Sequence, residues 1–192
     1  IFLLKKLEKF TELFPDVKIK LTNHSTNQAV NALKAGLVDF AVVTTPVNLT
    51  NDMKSENLCS FNDILIAGPK YKQLCNKALH LEELQEYPFI SLVEGTGTHD
   101  HYTKFFYDND LHFNLDMEAS TTDQVLAMVQ SNLGLGFYPE QLASEYIMRG
   151  EIFPVSLHES VPERDIILIR ESRHAENIAA KKLINFLKHT TN

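Results

Sequence analysis

Leu33-Lys34-Ala35-Gly36-Leu37-Val38-Asp39-Phe40-Ala41-Val42-Val43 is the stretch of this chain that decides the fold class. Its first residues complete the apolar face of a helix, and Gly36 stands where a helix would end. Residues 38–43 are nearly continuously apolar, which is typical of a strand buried on both faces of a parallel sheet. Helix and strand follow each other without a linker here, so the pattern favours an α/β fold.

The elements on either side extend this pattern. Val17, Ile19 and Leu21 alternate with polar residues and predict a half-exposed strand before the helix. Strand, helix and strand in this order predict an open α/β sheet. Spacing and turn residues predict further helices in residues 1–13, after Asp100, in 123–129, after Pro139 and in 178–187. They predict further strands at 64–67, 89–93, 112–117, 134–139 and 166–169.

Two polar residues of the first strand–helix–strand unit are candidates for function. Asp39 opens a buried strand, and a role in bonding nearby backbone is favoured over a role as a functional acid. Thr44 follows the same strand, and ligands of open α/β sheets bind beyond the carboxyl ends of strands. Position alone therefore makes Thr44 a candidate ligand contact.

Val93-Glu94-Gly95-Thr96-Gly97-Thr98-His99 is a second decisive stretch, because it carries a strand into a helix through a Gly/Thr turn. Such a turn exposes free backbone N–H groups that suit a small anion or polar ligand. A helix cap with Thr96 or Thr98 as the capping residue explains the same residues. Alone, the stretch favours the cap. A second Ser/Thr-rich turn at Ser120-Thr121-Thr122-Asp123, interpreted as a capping box that starts at Ser120, strengthens the ligand hypothesis.

Composition excludes several classes of protein. The chain has 192 residues with a formal charge of −7, and it shows neither the basic face that DNA binding requires nor an apolar run of transmembrane length. Cys59 and Cys75 lack metal spacing, so a reduced, cytoplasmic setting is expected. The chain begins inside an amphipathic helix without an initiator Met, and it is expected to be a fragment.

Catalytic and metal motifs are not found in the sequence. G-x-S-x-G, Walker A and dinucleotide-binding patterns do not occur, and His99 and His101 would point to different sides of a helix. We therefore expect no catalytic residue, no metal ligand and no cofactor.

Together, five stretches resemble the effector-binding domain of LysR-type transcriptional regulators. They are the helix and strand entry Leu3–Val17, the segment Leu33–Val42, Tyr87–Ile90 with the turn Gly95–His99, the segment Ala127–Pro139, and the closing strand Arg164–Arg170 with its terminal helix. The resemblance covers nearly the whole chain in order. The family's first strand, the Ser/Thr turn after it, the winged helix-turn-helix and the linker helix are not among the matched segments.

The resemblance implies two Rossmann-like subdomains joined by two crossover strands, the architecture of type 2 periplasmic binding proteins. Subdomain I would comprise residues 1–66 and 167–192, and subdomain II residues 67–166. A small polar or anionic metabolite would bind in the interdomain cleft and alter the DNA-bound state of a homodimer or homotetramer. The ligand contacts carried over from the family motifs would be Ser25, Thr26, Thr44, Thr96, Gly97, Thr98, Ser120, Thr121 and Tyr138.

Two other functions fit the same architecture. A solute-binding protein that serves transport would have a signal peptide in the full gene, whereas a regulator would have an upstream helix-turn-helix. An enzyme on this scaffold, such as a dehydratase of the prephenate type, would turn over a substrate. The motifs give the enzyme little support.

Overall fold

The computed structural model of the chain describes residues 2–172 and 177–189. Its elements, in chain order, are α1 (Phe2–Leu13), α2 (Thr26–Lys34), β1 (Ala41–Thr44), β2 (Met53–Phe61), β3 (Asp63–Ala67), 3-10 helices at Pro69–Asn76 and Leu81–Leu84, β4 (Phe89–Leu92), α3 (Gly97–Tyr107), β5 (Met117–Ala119), α4 (Thr122–Gln130), β6 (Leu135–Pro139), α5 (Glu140–Met148), β7 (Phe153–Val155), β8 (Arg164–Glu171) and α6 (Ile178–His189). The fold is therefore mixed α/β, with a three-stranded and a five-stranded sheet. None of the helices described is long and apolar enough to span a bilayer.

The chain divides into two compact units. The first comprises residues 1–43, 47–59 and 166–192, and the second comprises residues 44–46 and 60–165. Residues 60–66, which the sequence prediction assigned to subdomain I, belong to the second unit because β3 pairs with β6 and β7. Ile1, residues 173–176 and residues 190–192, which the predicted subdomain I includes, lie outside the described residues.

The first unit is built on the sheet of order β1-β8-β2. Leu168 of β8 packs with α1 and α6 through Phe10, Leu183 and Leu187. Its neighbours in sequence, Ile167 and Ile169, pack in a separate cluster with Val30 and Leu33 of α2. Since successive side chains of a strand point to opposite faces, helices cover both faces of this sheet.

The second unit is built on the sheet of order β5-β4-β6-β3-β7. β4 runs parallel to β5 and β6, whereas β3 is antiparallel to β6 and β7. One core cluster is aromatic and includes Tyr102, whose ring stacks on Phe137 with 4.4 Å between centroids. A second cluster, with Ile90 and Val129, packs α4 against the sheet. Helix α3 follows β4, and helix α4 follows β5. Both helices are therefore held against the sheet by buried side chains.

Two predicted strands are wrong, and one observed strand was not predicted. Residues 17–21 form no strand, although Val17 and Ile19 pack partly buried beside Phe10, because alternation specifies a buried face and not a backbone partner. Residues 112–115 are likewise outside any strand, and β5 occupies Met117–Ala119. β2, which begins at Met53, was not predicted, since seven of its nine residues are exposed or half-buried and dilute the apolar pattern.

Asp39 makes a structural contact, but its partner is a distant side chain and not the nearby backbone that was expected. Its Oδ1 accepts a hydrogen bond from the side-chain amide of Asn177 at 2.7 Å, just before α6. The carboxylate thus ties the entry of β1 to the start of α6 within the first unit. This contact accounts for the carboxylate before β1, so no chemical function is needed to explain it.

Candidate functional site

The second unit contains a mainly apolar cavity of about 80 Å³ with a few polar groups in its wall, beside the ends of β4 and β6. Its walls are partly apolar and partly polar, and the lining residues are Thr44, Phe61, Asp63, Ser91, Leu92, Thr98, Tyr102, Thr122, Val125, Phe137, Pro139 and Arg164. All of these residues belong to the second unit. A small concave site with a few placed polar groups is the usual form of a small-molecule site.

Arg164, the first residue of β8, organises the polar side of this cavity. Its Nη2 donates to the hydroxyl oxygens of Thr98 at 2.8 Å and Thr44 at 3.0 Å. Its Nε donates to the backbone oxygen of Thr45 at 2.9 Å, and its guanidinium carbon lies 5.3 Å from the centre of the Phe61 ring. The side chain is almost fully buried, so its geometry is fixed by these partners.

Asp63 balances the charge of Arg164. Arg164 Nη1 lies 3.1 Å from Asp63 Oδ2, and the Tyr102 hydroxyl donates to the same oxygen at 2.8 Å. Complete burial, together with the negative charge of Asp63, raises the pKa of Tyr102 well above its usual value. Tyr102 is therefore neutral at physiological pH and acts as a hydrogen-bond donor to the carboxylate.

Two polar atoms beside this network have no hydrogen-bond partner among the described residues. They are Asp63 Oδ1 and Ser91 Oγ, and each residue is only 3 % exposed. Buried polar atoms are paired in the great majority of cases, so unpaired atoms in a cavity wall are typical of groups that meet a ligand or solvent.

The Gly/Thr turn caps helix α3 and also contributes to the wall of the cavity. Thr96 is the N-cap of α3: its hydroxyl accepts from the His99 amide at 3.3 Å and donates to the Val93 backbone oxygen at 2.9 Å. Gly97 is needed for close packing, because a Cβ at this position would lie 2.5 Å from the backbone oxygen of Pro46. Thr98, in the first turn of α3, lines the cavity.

The start of α4 is shifted by one residue from the predicted capping box. Thr121 is the N-cap and accepts from the Gln124 amide at 3.3 Å, while the Gln124 side chain accepts from the Ser120 amide at 2.8 Å. Ser120 and Thr121 are exposed, and the next residue, Thr122, lines the cavity. The predicted capping box is not formed, because Thr121 is the N-cap and the Gln124 side chain bonds the Ser120 amide and not the amide of the N-cap.

Ser25 and Thr26 lie in the first unit. Ser25 is the N-cap of α2 and forms a complete capping box with Gln28. Thr26 is the first residue of that helix and is half-buried. The Ser25 hydroxyl therefore has a structural role, which is the usual role of a serine at this position.

Tyr138 does not line the cavity. It is 1 % exposed and packs in the cluster of Ile66 and Ile90. Burial, with smaller contributions from Asp123 and Tyr146, raises the pKa of Tyr138 to about 12. The residue that follows it, Pro139, is the one that reaches the cavity wall.

His101 is a titratable group close to the site. Burial, together with the positive charge of Arg164, lowers the pKa of His101 to about 4. Its imidazole is therefore neutral at physiological pH. No group of three or more His, Cys, Asp or Glu side chains that suits a metal ion occurs in residues 2–172 and 177–189.

The sequence prediction named Thr44 and Thr98 but missed Asp63, Ser91, Thr122 and Arg164. Arg164 was noted only as the start of a strand. Its partner Asp63 is 101 positions away along the chain, so no local pattern connects them. Asp63 and Arg164 each stand at the start of a different apolar strand, and this position was the only signal available in the sequence.

A two-sheet α/β fold with a small, mainly apolar cavity that carries a few polar groups, beside the N-terminal turns of α3 and α4, is typical of a small-molecule-binding domain. The chain belongs to the LysR substrate binding domain family, whose model matches residues 1–192. This is a family of regulatory domains and not of enzymes.

Curated relatives are regulators. The HTH-type transcriptional regulator CysB of Haemophilus influenzae is 29 % identical over 131 residues, which cover 68 % of this chain and 40 % of the relative. The HTH-type transcriptional activator CmpR of Synechocystis is 27 % identical over 135 residues, covering 70 % of this chain and 44 % of the relative. The chain thus matches less than half the length of these relatives.

Solved structures show the same fold. The regulatory domain of Synechocystis PCC6803 CcmR, in complex with 2-PG, has a TM-score of 0.86 at 14 % identity, covering 97 % of this chain and 89 % of that one. The effector binding domain of QuiR, in complex with shikimate, has a TM-score of 0.83 at 15 % identity, covering 97 % and 88 %. The predicted fold class, that of type 2 periplasmic binding proteins, is confirmed.

Proposed function

We propose that this chain is the effector-sensing part of a LysR-type transcription regulator. Its ligand is a small polar or anionic metabolite that contacts Thr44, Thr98 and the first turns of α3 and α4. Binding favours one quaternary state of the regulator over another, and this shift in population changes how the regulator sits on DNA.

The observation that carries this proposal is the bonding of Arg164 to Thr98. A guanidinium only donates hydrogen bonds, so a threonine oxygen that accepts from it directs its own O–H elsewhere. Thr98 Oγ1 accepts from Arg164 Nη2 at 2.8 Å and lines the cavity. Its hydroxyl can therefore donate to a ligand oxygen, next to the positive end of a helix.

The other residues that were predicted to contact the ligand have different roles in this proposal. The backbone of Gly97 belongs to the ligand site, while Thr96 and Thr121 hold the two helix starts in position. Ser25 and Thr26 in the first unit and the exposed Ser120 stay predictions. Tyr138 supports the cavity wall through Pro139 and makes no ligand contact.

The remaining proposals concern the whole protein. We propose that it acts in the cytoplasm as a homodimer or homotetramer and contacts DNA through a helix-turn-helix region. The formal charge of −7 supports a DNA contact outside this chain. Exposed apolar side chains on α1, Leu4 and Leu13, support a self-association surface.

Thermal unfolding in the presence of a panel of small carboxylates, phosphates and polyols tests the ligand site. At least one compound is expected to raise the melting temperature of the chain by several degrees, because a ligand that binds only the native state stabilises it. The double variant Thr44→Val/Thr98→Val is expected to lose this rise, since valine keeps the shape and removes both hydroxyls.

Thr103→Val is the matched control, because Thr103 is exposed on the same helix as Thr98. This variant is expected to keep the full ligand-induced rise. A rise that persists in Thr44→Val/Thr98→Val would contradict the proposed site, and a panel without any stabilising compound would contradict the proposed sensing function.

A further inference from the structure

We propose that the cavity selects a small ligand that carries a hydroxyl group beside a negatively charged oxygen, as in a small hydroxy acid. This inference rests on the proposed function and specifies its ligand. Asp63 would bind the hydroxyl group, and Ser91 and Thr98 would bind the charged group. Neither Asp63 nor Ser91 follows from the sequence motifs.

The unpaired oxygen of Asp63 defines the first requirement. Asp63 Oδ2 already accepts from Tyr102 and Arg164, whereas Oδ1 has no partner among the residues the structure describes. An ionised carboxylate only accepts hydrogen bonds, so the ligand must present a donor here. A buried charged atom without a donor is unfavourable, so this donor adds substantially to affinity.

The neighbouring charges restrict the kind of donor. Arg164 already compensates the charge of Asp63 at 3.1 Å, so a ligand ammonium group would meet the like charge of the guanidinium. A ligand carboxylate at the same place would be repelled by Asp63. A neutral donor, of which the hydroxyl group is the smallest, meets neither repulsion.

Ser91 is a second buried polar group of the cavity wall. It lies on β4, is 3 % exposed, and its Oγ has no hydrogen-bond partner within the described part of the chain. Strand β6 separates β4 from β3, which carries Asp63, so Ser91 would meet a different ligand atom from the one that meets Asp63. A serine hydroxyl can donate a hydrogen bond, and a negatively charged ligand oxygen would accept it.

The other end of the ligand faces donors. The Thr98 hydroxyl accepts from Arg164 and can donate to a ligand in the cavity, and the first turns of α3 and α4 contribute the positive ends of two helices. The cavity of about 80 Å³ has room for about five to eight water-sized groups. This size fits a small hydroxy acid.

The test uses matched pairs of acids that differ by one hydroxyl group: glycolate and acetate, lactate and propionate, malate and succinate. Titration calorimetry on the 192-residue chain measures the dissociation constant of each. In at least one pair the hydroxy acid is expected to bind about 10- to 100-fold more tightly, which is the range for a hydrogen bond to a charged group.

Ser91→Ala separates the two parts of the proposal. It removes a hydroxyl without a partner among the described residues, so the unliganded variant is expected to unfold at the same or a higher temperature. The affinity for both acids of a pair is expected to fall about tenfold, while the hydroxy acid stays preferred through Asp63. Ser144→Ala, at an exposed position of α5 in the same unit, is expected to keep both affinities.

The outcomes distinguish this inference from the proposed function. Equal binding of both acids to the unaltered chain, or affinities that Ser91→Ala leaves unchanged, overturns the inference. If both acids bind equally but lose affinity in Thr98→Val, the proposed function stands without it. If Thr98→Val changes neither affinity, or if no acid binds, the proposed site and the inference are both wrong.

Discussion

Arg164 Nη1 and Asp63 Oδ2 lie 3.1 Å apart, and their side chains are only 5 % and 1 % exposed. The guanidinium of this pair also holds the hydroxyl groups of Thr44 and Thr98 in place. Asp63 therefore compensates the buried charge of Arg164, and Arg164 orients the side chains that are proposed to contact the ligand.

Asp63→Asn is expected to lower the free energy of unfolding by about 3–5 kcal/mol, because it leaves Arg164 as a buried charge without a counter-ion. Urea unfolding at neutral pH measures this change. Glu145→Gln, which removes an exposed pair with Arg149 at 3.1 Å, is the control, and its expected effect is below about 1 kcal/mol. Equal effects of the two substitutions would contradict the structural importance of the buried pair.

The sequence predicted the elements whose pattern is local. The helical spacing near Leu183, the apolar run at Ile90 and the Gly/Thr turn at Thr98 each carry their signal within about ten residues, and each prediction is confirmed by the corresponding element. Strands with mixed exposure were less predictable, as in β2, because their identity depends on the neighbours that pair with them.

The site was only half predictable for a related reason. Thr98 belongs to a turn with a recognisable chemistry, so its position indicated a ligand contact. Asp63 and Arg164 are brought together by the second unit's fold across 101 positions. Single residues of this kind acquire a role only when tertiary packing defines their partners.

The turn before α3 offers a second prediction on stability. Gly97→Asn is expected to destabilise the chain by about 1–3 kcal/mol, which is typical of an overpacked position, because its Cβ would lie 2.5 Å from the Pro46 backbone oxygen. Thermal unfolding checks this prediction.

Gly95→Asn is the matched control for that experiment. Gly95 has a φ of +79°, and a Cβ at this position would have no described atom within 4 Å. Asparagine tolerates such a left-handed backbone at a cost below about 1 kcal/mol. A Gly97→Asn variant as stable as Gly95→Asn would show that the close contact with Pro46 is unimportant.

His101 predicts a pH dependence of stability. Because burial and Arg164 depress its pKa from 6.5 to about 4 in the folded chain, the unfolded chain binds this proton first as pH falls. The contribution of neutral His101 is fully present above pH 6.5 and is lost as pH falls from 6.5 through 4.

His101→Gln is therefore expected to weaken the fall in unfolding free energy between pH 6.5 and pH 4. Urea unfolding at several pH values measures this slope, and His112→Gln, at an exposed position, should leave it unchanged. Identical slopes in the unaltered chain and in His101→Gln would rule out a depressed pKa.

The proposed self-association surface predicts a shift in sedimentation. Leu4 and Leu13 are 56 % and 63 % exposed on α1, so Leu4→Lys/Leu13→Lys is expected to move a dimer towards monomer. Leu133→Lys, at a position 44 % exposed in the second unit, is expected to sediment like the unaltered chain. A monomer at every concentration of the unaltered chain would contradict the proposed surface.

Amide chemical-shift mapping by NMR tests the central claim, that a small-molecule effector binds the cavity organised by Arg164. The chain is titrated with the compound from the panel that stabilises it most. We predict that the largest shifts occur at the amides of Ser91, Thr98 and Thr122, whose residues line the cavity. Largest shifts at residues remote from this cavity, with these three amides unchanged, would contradict the account.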